Sequence, residues 1–320
     1  MLITDIFYII VGLGLLAWSA DKLVEYAVAL AKHLNVSAFL IGIVIIGFGT
    51  SAPEMLVSAL AALDNIGGIA IGNALGSNIA NIGLVLGFAA LFSSIAISKK
   101  VLKADITILF LITALAIILL LDQQLSTVDG IILSISLIAY LAWSAFSDKK
   151  SGEQNDEFDP DAAPKSSLRK SAIWTVISLV ILLGSSKILL VGAVGISKAL
   201  GISDLMIGLT VVAIGTSMPE LAASVAAAKQ KQTGLIIGNI LGSNAFNTLG
   251  VLGIVGLLSN TSVGIEVLQR DFIVLIILML VLTAVAFLRG KLNKPSGFIL
   301  LIGYFSYLSF LIYNALQIAS

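Results

Sequence analysis

Long apolar runs separated by short polar breaks dominate this sequence from one end to the other. The runs are about 20 residues long, the length of helix that crosses roughly 30 Å of hydrocarbon. Segments of about ten alternating residues, which are typical of a porin-like barrel, are absent from the sequence. The pattern therefore predicts an all-α polytopic membrane protein. The ten predicted spans cover residues 3–30, 37–62, 69–94, 101–121, 126–147, 169–197, 203–228, 235–258, 266–288 and 296–316.

One long polar segment divides the spans into two sets of five. It covers residues 148–168 and is interpreted as a cytoplasmic linker between a first repeat, residues 1–147, and a second repeat, residues 169–320. Because five is odd, the second repeat enters the membrane from the opposite side, which gives an inverted repeat. The linker carries an acidic cluster, and a solvated, flexible segment is favoured over a regulatory calcium site because ordered loop spacing is missing. The cluster comprises Glu153, Asp156, Glu157, Asp159 and Asp161.

The distribution of charge supports the inversion and sets the orientation. Only 11% of residues are charged, against about 25% in soluble domains, and the net charge is zero. Of 18 Lys and Arg residues, 14 lie in the loops after spans 1, 3, 5, 7 and 9, two lie within spans, and only Lys198 and Arg270 lie on the other side. This bias predicts that both termini are external to the cytoplasmic membrane. Zero net charge gives no indication of nucleic-acid binding, and the absence of cysteine excludes disulfides and thiolate chemistry.

A duplicated polar motif lies inside the apolar runs. Residues 49–54 read Gly-Thr-Ser-Ala-Pro-Glu and residues 215–220 read Gly-Thr-Ser-Met-Pro-Glu. Each is followed by Gly-Asn-x-Leu-Gly-Ser-Asn-x-x-Asn, at 72–81 and 238–247, with a constant offset of 166 residues. Between residues 41–87 and 207–253, 22 of 47 positions are identical. The motif therefore belongs to the repeat itself.

The chemistry of this motif suits a hard cation. A carboxylate at the centre of a membrane helix costs about 2.5–3.5 kcal/mol, so a duplicated glutamate, Glu54 and Glu220, indicates a function rather than a lone hydrogen-bonded side chain. Pro53 and Pro219 leave the carbonyls of the residues four positions earlier free, although a simple kink is the alternative. Hydroxyls, freed carbonyls and carboxylates together form the oxygen ligand set that hard cations prefer.

Spacing determines which polar residues share a face. Thr50 and Ser51 lie four and three residues before Glu54, so the three can face one side of the helix, and Thr216, Ser217 and Glu220 repeat the arrangement. In the second motif the side chains at intervals of four share a face: Asn73, Ser77 and Asn81, and likewise Asn239, Ser243 and Asn247. Asn78 and Asn244 lie on a different face and are expected to bond between helices. The motif glycines are expected to allow close helix approach: Gly72, Gly76, Gly238 and Gly242.

At these residues the sequence resembles the sodium/calcium exchanger family of the cation/calcium antiporter superfamily, over essentially the whole chain. The related calcium/proton exchangers typically carry a Gly-Asn-x-x-Glu form, which is missing here at 49–54 and 215–220. The resemblance implies a core of spans 2, 3, 7 and 8, past which spans 1 and 6 slide. The ligands that it implies are Thr50, Ser51, Glu54, Ser77 and Asn81, then Thr216, Ser217, Glu220 and Ser243, and the backbone carbonyls of Gly47 and Ala213.

Asn247 marks a departure from the family pattern. Many members have an aspartate at this position, and Asn247 is kept in the predicted site although it supplies an amide. The potassium-dependent branch ties such an acid to potassium use, so the departure puts potassium co-transport in doubt.

The sequence therefore predicts a sodium/calcium antiporter and not an enzyme. The expected transported ions are Na+ and Ca2+, without a cofactor and without an obligate protein partner, in contact with the lipid bilayer. Because burial of a carboxylate favours its protonated form, exchange of calcium or another cation for protons through the same site is an alternative. A potassium-dependent exchanger is another, as is a channel or non-transporting scaffold, against which the inverted repeat argues.

Overall fold

A computed structural model describes residues 2–64, 66–151, 166–202 and 204–319, which are almost entirely helical. By length and hydropathy, these residues contain nine helices able to cross a membrane, or ten when a bent pair counts as one span. The all-α, ten-helix prediction is therefore confirmed. The helices are α1 Leu2–Leu34, α2 Ala38–Leu63, α3 Gly67–Phe92, α4 Val101–Leu119, α5 Thr127–Lys149, α6 Leu168–Ala199, the bent α7 with parts Thr210–Thr216 and Met218–Lys229, α8 Thr233–Leu258, α9 Val267–Arg289 and α10 Lys294–Gln317.

Four short strands display the relation between the two repeats. The strands are β1 Ile95–Ala96, β2 Gln124–Leu125, β3 Thr261–Ser262 and β4 Lys291–Leu292. In the repeat, β1 corresponds to β3 and β2 to β4. β1 pairs antiparallel with β4, and β2 pairs antiparallel with β3. Each repeat thus gives one strand to each pair, and the reciprocal exchange is the pairing expected of two repeats related by a pseudo-two-fold axis.

Wide π-helical turns interrupt the helices in related pairs. Among the described residues they occupy Gly42–Gly47 and Gly208–Val212, Asn81–Leu86 and Phe246–Val251, and Val101–Asp105 and Val267–Asp271. π-turns inside α-helices are rare and are frequent at functional sites. The first pair leads into the Thr-Ser-x-Pro-Glu motifs, and the second pair contains Asn81 and Asn247. The irregular backbone therefore coincides with the repeated polar motifs.

The helices form an inner layer and an outer pair. In α8 and α3, 89% and 78% of the most apolar stretch is buried, against 17% in α1 and 22% in α6. α1 and α6 pack along each other, and the second part of α7 packs against α8 and α3. The inner layer is largely apolar, and the polar side chains buried in it include those of the motifs.

The segment between the repeats begins later than the polar pattern indicates. The helix that contains α5 continues to Ser151, and α6 begins after Ser167, whose hydroxyl accepts a hydrogen bond from the Lys170 amide. Asp148 is buried and accepts a hydrogen bond from the Ser37 amide at 3.1 Å, so it fastens the end of α5 to the start of α2. The acidic cluster of the linker lies outside the described residues.

Candidate ion-binding site

The two proline motifs fold differently. Pro53 lies inside a continuous helical stretch, Phe48–Leu63. Pro219 is the second residue of the Met218–Lys229 part of α7, which follows a bend of 52° at Ser217. Ser217 itself has φ −87° and ψ 5°, the bridge region between helical and extended backbone. A proline in each copy therefore allows a broken helix without requiring one.

The carbonyl that Pro219 cannot satisfy has found a donor elsewhere. The Gly215 carbonyl accepts a hydrogen bond of 3.2 Å from the hydroxyl of Ser186 on α6. In the first copy the residue equivalent to Ser186 is Ala20, and the Leu179 side chain packs against Gly49. The Gly215 carbonyl thus has a hydroxyl donor on α6, and the residue equivalent to that donor in the first repeat has no hydroxyl.

The two glutamates come together from opposite repeats. Glu54 and Glu220 are each 2% exposed, and their carboxyl groups are close enough for their charges to interact. The Thr50 hydroxyl of the first copy lies 3.4 Å from Asn239 Oδ1 of the second. The motifs therefore face each other as two halves of one polar centre.

Unpartnered polar atoms concentrate in this centre. Among the described residues, 13 buried side-chain nitrogen and oxygen atoms have no hydrogen-bond partner, and ten of them belong to the repeated motifs. Since buried polar groups are almost always paired, such a concentration indicates a ligand. Eight of the ten are oxygens, which suits Ca²⁺ and other hard cations. The ten atoms are Ser51 Oγ, Glu54 Oε1 and Oε2, Asn78 Oδ1, Asn81 Oδ1, Ser217 Oγ, Glu220 Oε2, Asn244 Nδ2, and Asn247 Oδ1 and Nδ2.

Hydrogen bonds donated by side-chain amides link α3 to α8 and orient the asparagines. The Asn81 amide donates to Asn244 Oδ1 at 3.0 Å, and the Asn78 amide donates to Thr248 Oγ1 at 2.7 Å. Asn78 and Asn244 thus bond between helices as expected. Since the Asn81 nitrogen is occupied, its oxygen is the atom left for a cation. Asn247, 1% exposed, has neither amide atom paired within the described part of the chain.

The remaining second-copy residues pack against α2. Ser243 donates to the Gly47 carbonyl at 3.4 Å, so two predicted ligands from different repeats contact each other. The Thr50 hydroxyl donates to the Ile46 carbonyl at 3.0 Å and reaches Asn239 Oδ1 at 3.4 Å. These contacts close the interface between α2 and α8.

The equivalent interface, between α3 and the first part of α7, is open. Ser77 and Thr216 line a cavity of about 470 Å³, together with Asn73, Arg270 and Asp271. Ala213, the remaining predicted ligand, is the first residue of the Ala213–Thr216 turn on the α7 side of this region.

The motif glycines distinguish the two interfaces. A Cβ atom at Gly242 would lie 2.7 Å from Ile43 Cα, and one at Gly238 would overlap the Phe39 carbonyl oxygen. A Cβ atom at Gly72 or Gly76 would meet nothing within 4 Å. The expected close approach of helices is therefore correct for the second copy and wrong for the first, where Gly72 and Gly76 border the cavity.

Sequence reasoning missed several buried polar residues. Thr248 and Ser186 bond to motif residues without being part of a motif. Asp105 and Asp271, each 4% exposed, are 166 residues apart and end equivalent π-turns. That offset is a signal that a systematic comparison of the repeats would have detected.

An inverted helical repeat with a polar centre where its two halves meet is the architecture of a secondary transporter. A family model described as "Sodium/calcium exchanger protein" matches residues 4–146 and 170–313, which is nearly all of both repeats. The chain belongs to the sodium/calcium exchanger family.

Individual relatives and solved structures agree with this assignment. The chain is 39% identical to the putative antiporter CaxA of Alkalimonas amylolytica, over 96% of this chain and 98% of that protein. It is 29% identical to the sodium/calcium exchanger MaX1 of Methanosarcina acetivorans, over 98% and 100%. A structure of the sodium–calcium exchanger NCX_Mj soaked with Na+ and Sr²⁺ matches with a TM-score of 0.84 at 35% identity, over 97% of this chain and 99% of that chain. The protein is thus a multi-pass membrane antiporter of the cation/calcium class, and its family is one of transporters.

Proposed function

We propose that this protein exchanges sodium for calcium across the cytoplasmic membrane, exporting calcium as sodium enters, with both termini external. The observation that carries the proposal is the pair of buried carboxylates, one from each repeat, among unpartnered oxygens of the same motifs. The positive-inside charge bias supports the orientation.

Competition for two carboxylates explains exchange. Two negative charges are neutralised by one Ca²⁺ or by two Na+, so calcium and sodium exclude one another. Moving an unoccupied, doubly charged site through the bilayer is costly, because each buried charge carries a large desolvation penalty. The transporter therefore reorients when loaded and stays in place when empty, which couples the two fluxes.

The proposed ligands are the predicted set, and we propose different parts for its members. Glu54 and Glu220 supply the charge, while the unpartnered hydroxyls of Ser51 and Ser217 and the Asn81 oxygen supply neutral ligands. Gly47 and Ser243 contact each other at 3.4 Å, so a cation there would replace a weak hydrogen bond. The other members are Thr50, Ser77, Ala213, Thr216 and Asn247.

The number of acidic groups bears on which of the related activities the site supports. Asn247 is an amide, and within the described ranges no three acidic or histidine side chains come together as a metal site. A centre with two acids favours sodium over potassium co-transport, following the family pattern. Two carboxylates are also able to take up two protons, so proton exchange is the second candidate.

Calcium uptake by proteoliposomes tests the proposal. With sodium inside and calcium-45 outside, the wild type is expected to accumulate calcium, whereas Glu54→Gln and Glu220→Gln lose about a hundredfold or more, since an uncompensated buried charge costs about 3–5 kcal/mol. Glu25→Gln serves as the control, because Glu25 forms an ion pair with Lys22 (Nζ to Oε2, 2.6 Å) and is not one of the proposed ligands. Full activity in either glutamine variant would contradict the site.

The same vesicles identify the coupling ion. Uptake driven by an outward sodium gradient alone, with no response to potassium or pH gradients, is the expected result. Equal uptake driven by a pH gradient without sodium would replace the proposal by calcium/proton exchange, and a requirement for potassium would assign the protein to potassium-dependent exchange.

A further inference from the structure

An ion pair lies on the wall of the open cavity. Arg270 and Asp271 line it together with Ser77 and Thr216, two of the proposed ligands. Arg270 Nε lies 2.7 Å from Asp271 Oδ1, and Arg270 Nη2 lies 3.1 Å from Oδ2. The Tyr307 hydroxyl donates to Asp271 Oδ1 at 2.8 Å. The Asp271 carboxylate is therefore held by three donors from two helices.

The burial of the two partners differs. The Asp271 side chain is 5% exposed and the Arg270 side chain is 32% exposed, so the arginine is the more accessible partner of the pair. A two-pronged arginine–carboxylate pair is stronger and more rigid than a single contact. Arg270 is the only basic residue among the described residues that line this cavity.

An arginine on the path to a cation site calls for a physical reason. Alone it would repel sodium and calcium, and an unpaired Asp271 would attract and hold them before they reach Glu54 and Glu220. The first repeat has Ala104 at the position equivalent to Arg270 and Asp105 at that of Asp271. Since the repeat folds with alanine at this position, the π-turn does not require the arginine.

We propose that Arg270 sets the charge of the cavity as a specificity-determining residue, by holding Asp271 in a neutral pair that neither captures nor repels the transported cations. The inference rests on the proposed function, because the charge of the cavity matters to transport only if cations pass through it. Tyr307 acts through Asp271 as a positioning residue, because its hydroxyl donates to Asp271 Oδ1 at 2.8 Å.

Removing one charge at a time should shift cation affinity in opposite directions. Arg270→Gln leaves a negative wall and Asp271→Asn leaves a positive one. For a unit charge about 10 Å from the ion in water, Coulomb's law gives about a twofold change for Na+ and about a fourfold change for Ca²⁺. The half-saturating calcium concentration is therefore expected to fall about fourfold in Arg270→Gln and to rise about fourfold in Asp271→Asn. The fold-change in the half-saturating sodium concentration should be the square root of the fold-change for calcium, because sodium carries half the charge.

The experiment uses right-side-out and everted membrane vesicles, in which all copies have one orientation. Initial rates of sodium-driven calcium-45 uptake are measured at low ionic strength for both single variants and for Arg270→Gln/Asp271→Asn. The expected result is opposite shifts in the single variants and near wild-type values in the double variant. Because Arg270 lies on the predicted external side of the membrane, the shifts should appear only in right-side-out vesicles. They should shrink in 0.5 M choline chloride, because salt screens exposed charges to about 3–10 Å.

Two controls separate charge from structure. Arg270→Lys keeps the positive charge while losing the two-pronged geometry, so its affinities should stay within about twofold of the wild type. Arg289→Gln removes an exposed arginine at the other end of α9 and should change neither affinity. Single variants that both weaken calcium affinity, or shifts unaffected by salt, would overturn the charge role. If the wild type shows no sodium-driven uptake, the proposed function itself fails, whereas an active wild type with unshifted variants refutes only the role of Arg270.

Discussion

The interface between α2 and α8 and the interface between α3 and the first part of α7 are built from equivalent segments of the two repeats. The first is closed, yet the second is open. Gly238 and Gly242 lie against the backbone of α2, while their counterparts Gly72 and Gly76 border a cavity of about 470 Å³. Asn239 is 1% exposed, whereas its counterpart Asn73 lines the cavity. One local sequence therefore supports two packing arrangements.

The difference shows what an inverted repeat offers a transporter. If either interface is able to close, exchanging the two arrangements would move access to the polar centre from one side of the membrane to the other. The open side contains the bend at Ser217 and the bond between Ser186 and the Gly215 carbonyl. The closed side contains a continuous helix through Pro53. The bend is thus a property of the arrangement and not of the proline alone.

The largest expected contrast is in solvent access to two equivalent serines. The chain has no cysteine, so Ser77→Cys and Ser243→Cys each introduce a single thiol of nearly the same shape as the original side chain. A small charged thiol reagent should label position 77, which is 6% exposed and lines the cavity, more than about tenfold faster than position 243, which is 0% exposed and reacts only after local opening. Equal rates would contradict the asymmetry of the two interfaces.

A second contrast concerns stability. Gly242→Ala should lower the free energy of unfolding by about 1–3 kcal/mol, since its Cβ would press on the α2 backbone and overpacking has costs of this size. Gly76→Ala meets only open space and should leave the thermal midpoint in detergent almost unchanged. It should slow calcium transport if α3 and α7 approach each other during the cycle. A similar loss of stability in both variants would contradict the packing difference.

The smallest expected effect tests the bond that accompanies the bend. Ser186→Ala removes one buried hydrogen bond, which contributes about 0.5–1.5 kcal/mol, and should shift the open arrangement towards closure by about two- to tenfold. In a Ser77→Cys background, labelling of position 77 should slow accordingly. The matched control is Ser185→Ala, because Ser185 donates to Leu182 within its own helix at 2.9 Å. Equal labelling of both variants would show that the Ser186 bond does not hold α7 open.

Much of the fold could be predicted from the sequence because the bilayer constrains it so strongly. Runs of apolar residues predicted every span, generally to within a few residues, since a membrane helix has to satisfy its own backbone. The predicted span 5 ends too early because Asp148, which resembles the start of a polar linker, is buried and accepts a hydrogen bond from the Ser37 backbone amide. Polarity along the chain does not reveal a partner that lies 111 residues away.

The duplicated motif also predicted the members of the polar centre and the bonds of Asn78 and Asn244 between helices. It did not predict Thr248, Ser186 or the Arg270–Asp271 pair. These residues lie outside the motif and are brought to it by packing alone.

The sequence by itself determined that the protein has two related halves of opposite orientation, each with one buried carboxylate, because composition, spacing and charge bias are local properties of the chain. Only the tertiary structure decided which half is open. The motifs are nearly identical, so each offers the same glycines, hydroxyls and proline, and local preference cannot choose between them. The choice depends on small differences in packing summed over whole interfaces, such as the Ser186 hydroxyl on α6 that donates to the Gly215 carbonyl, where the equivalent residue of the first repeat is Ala20.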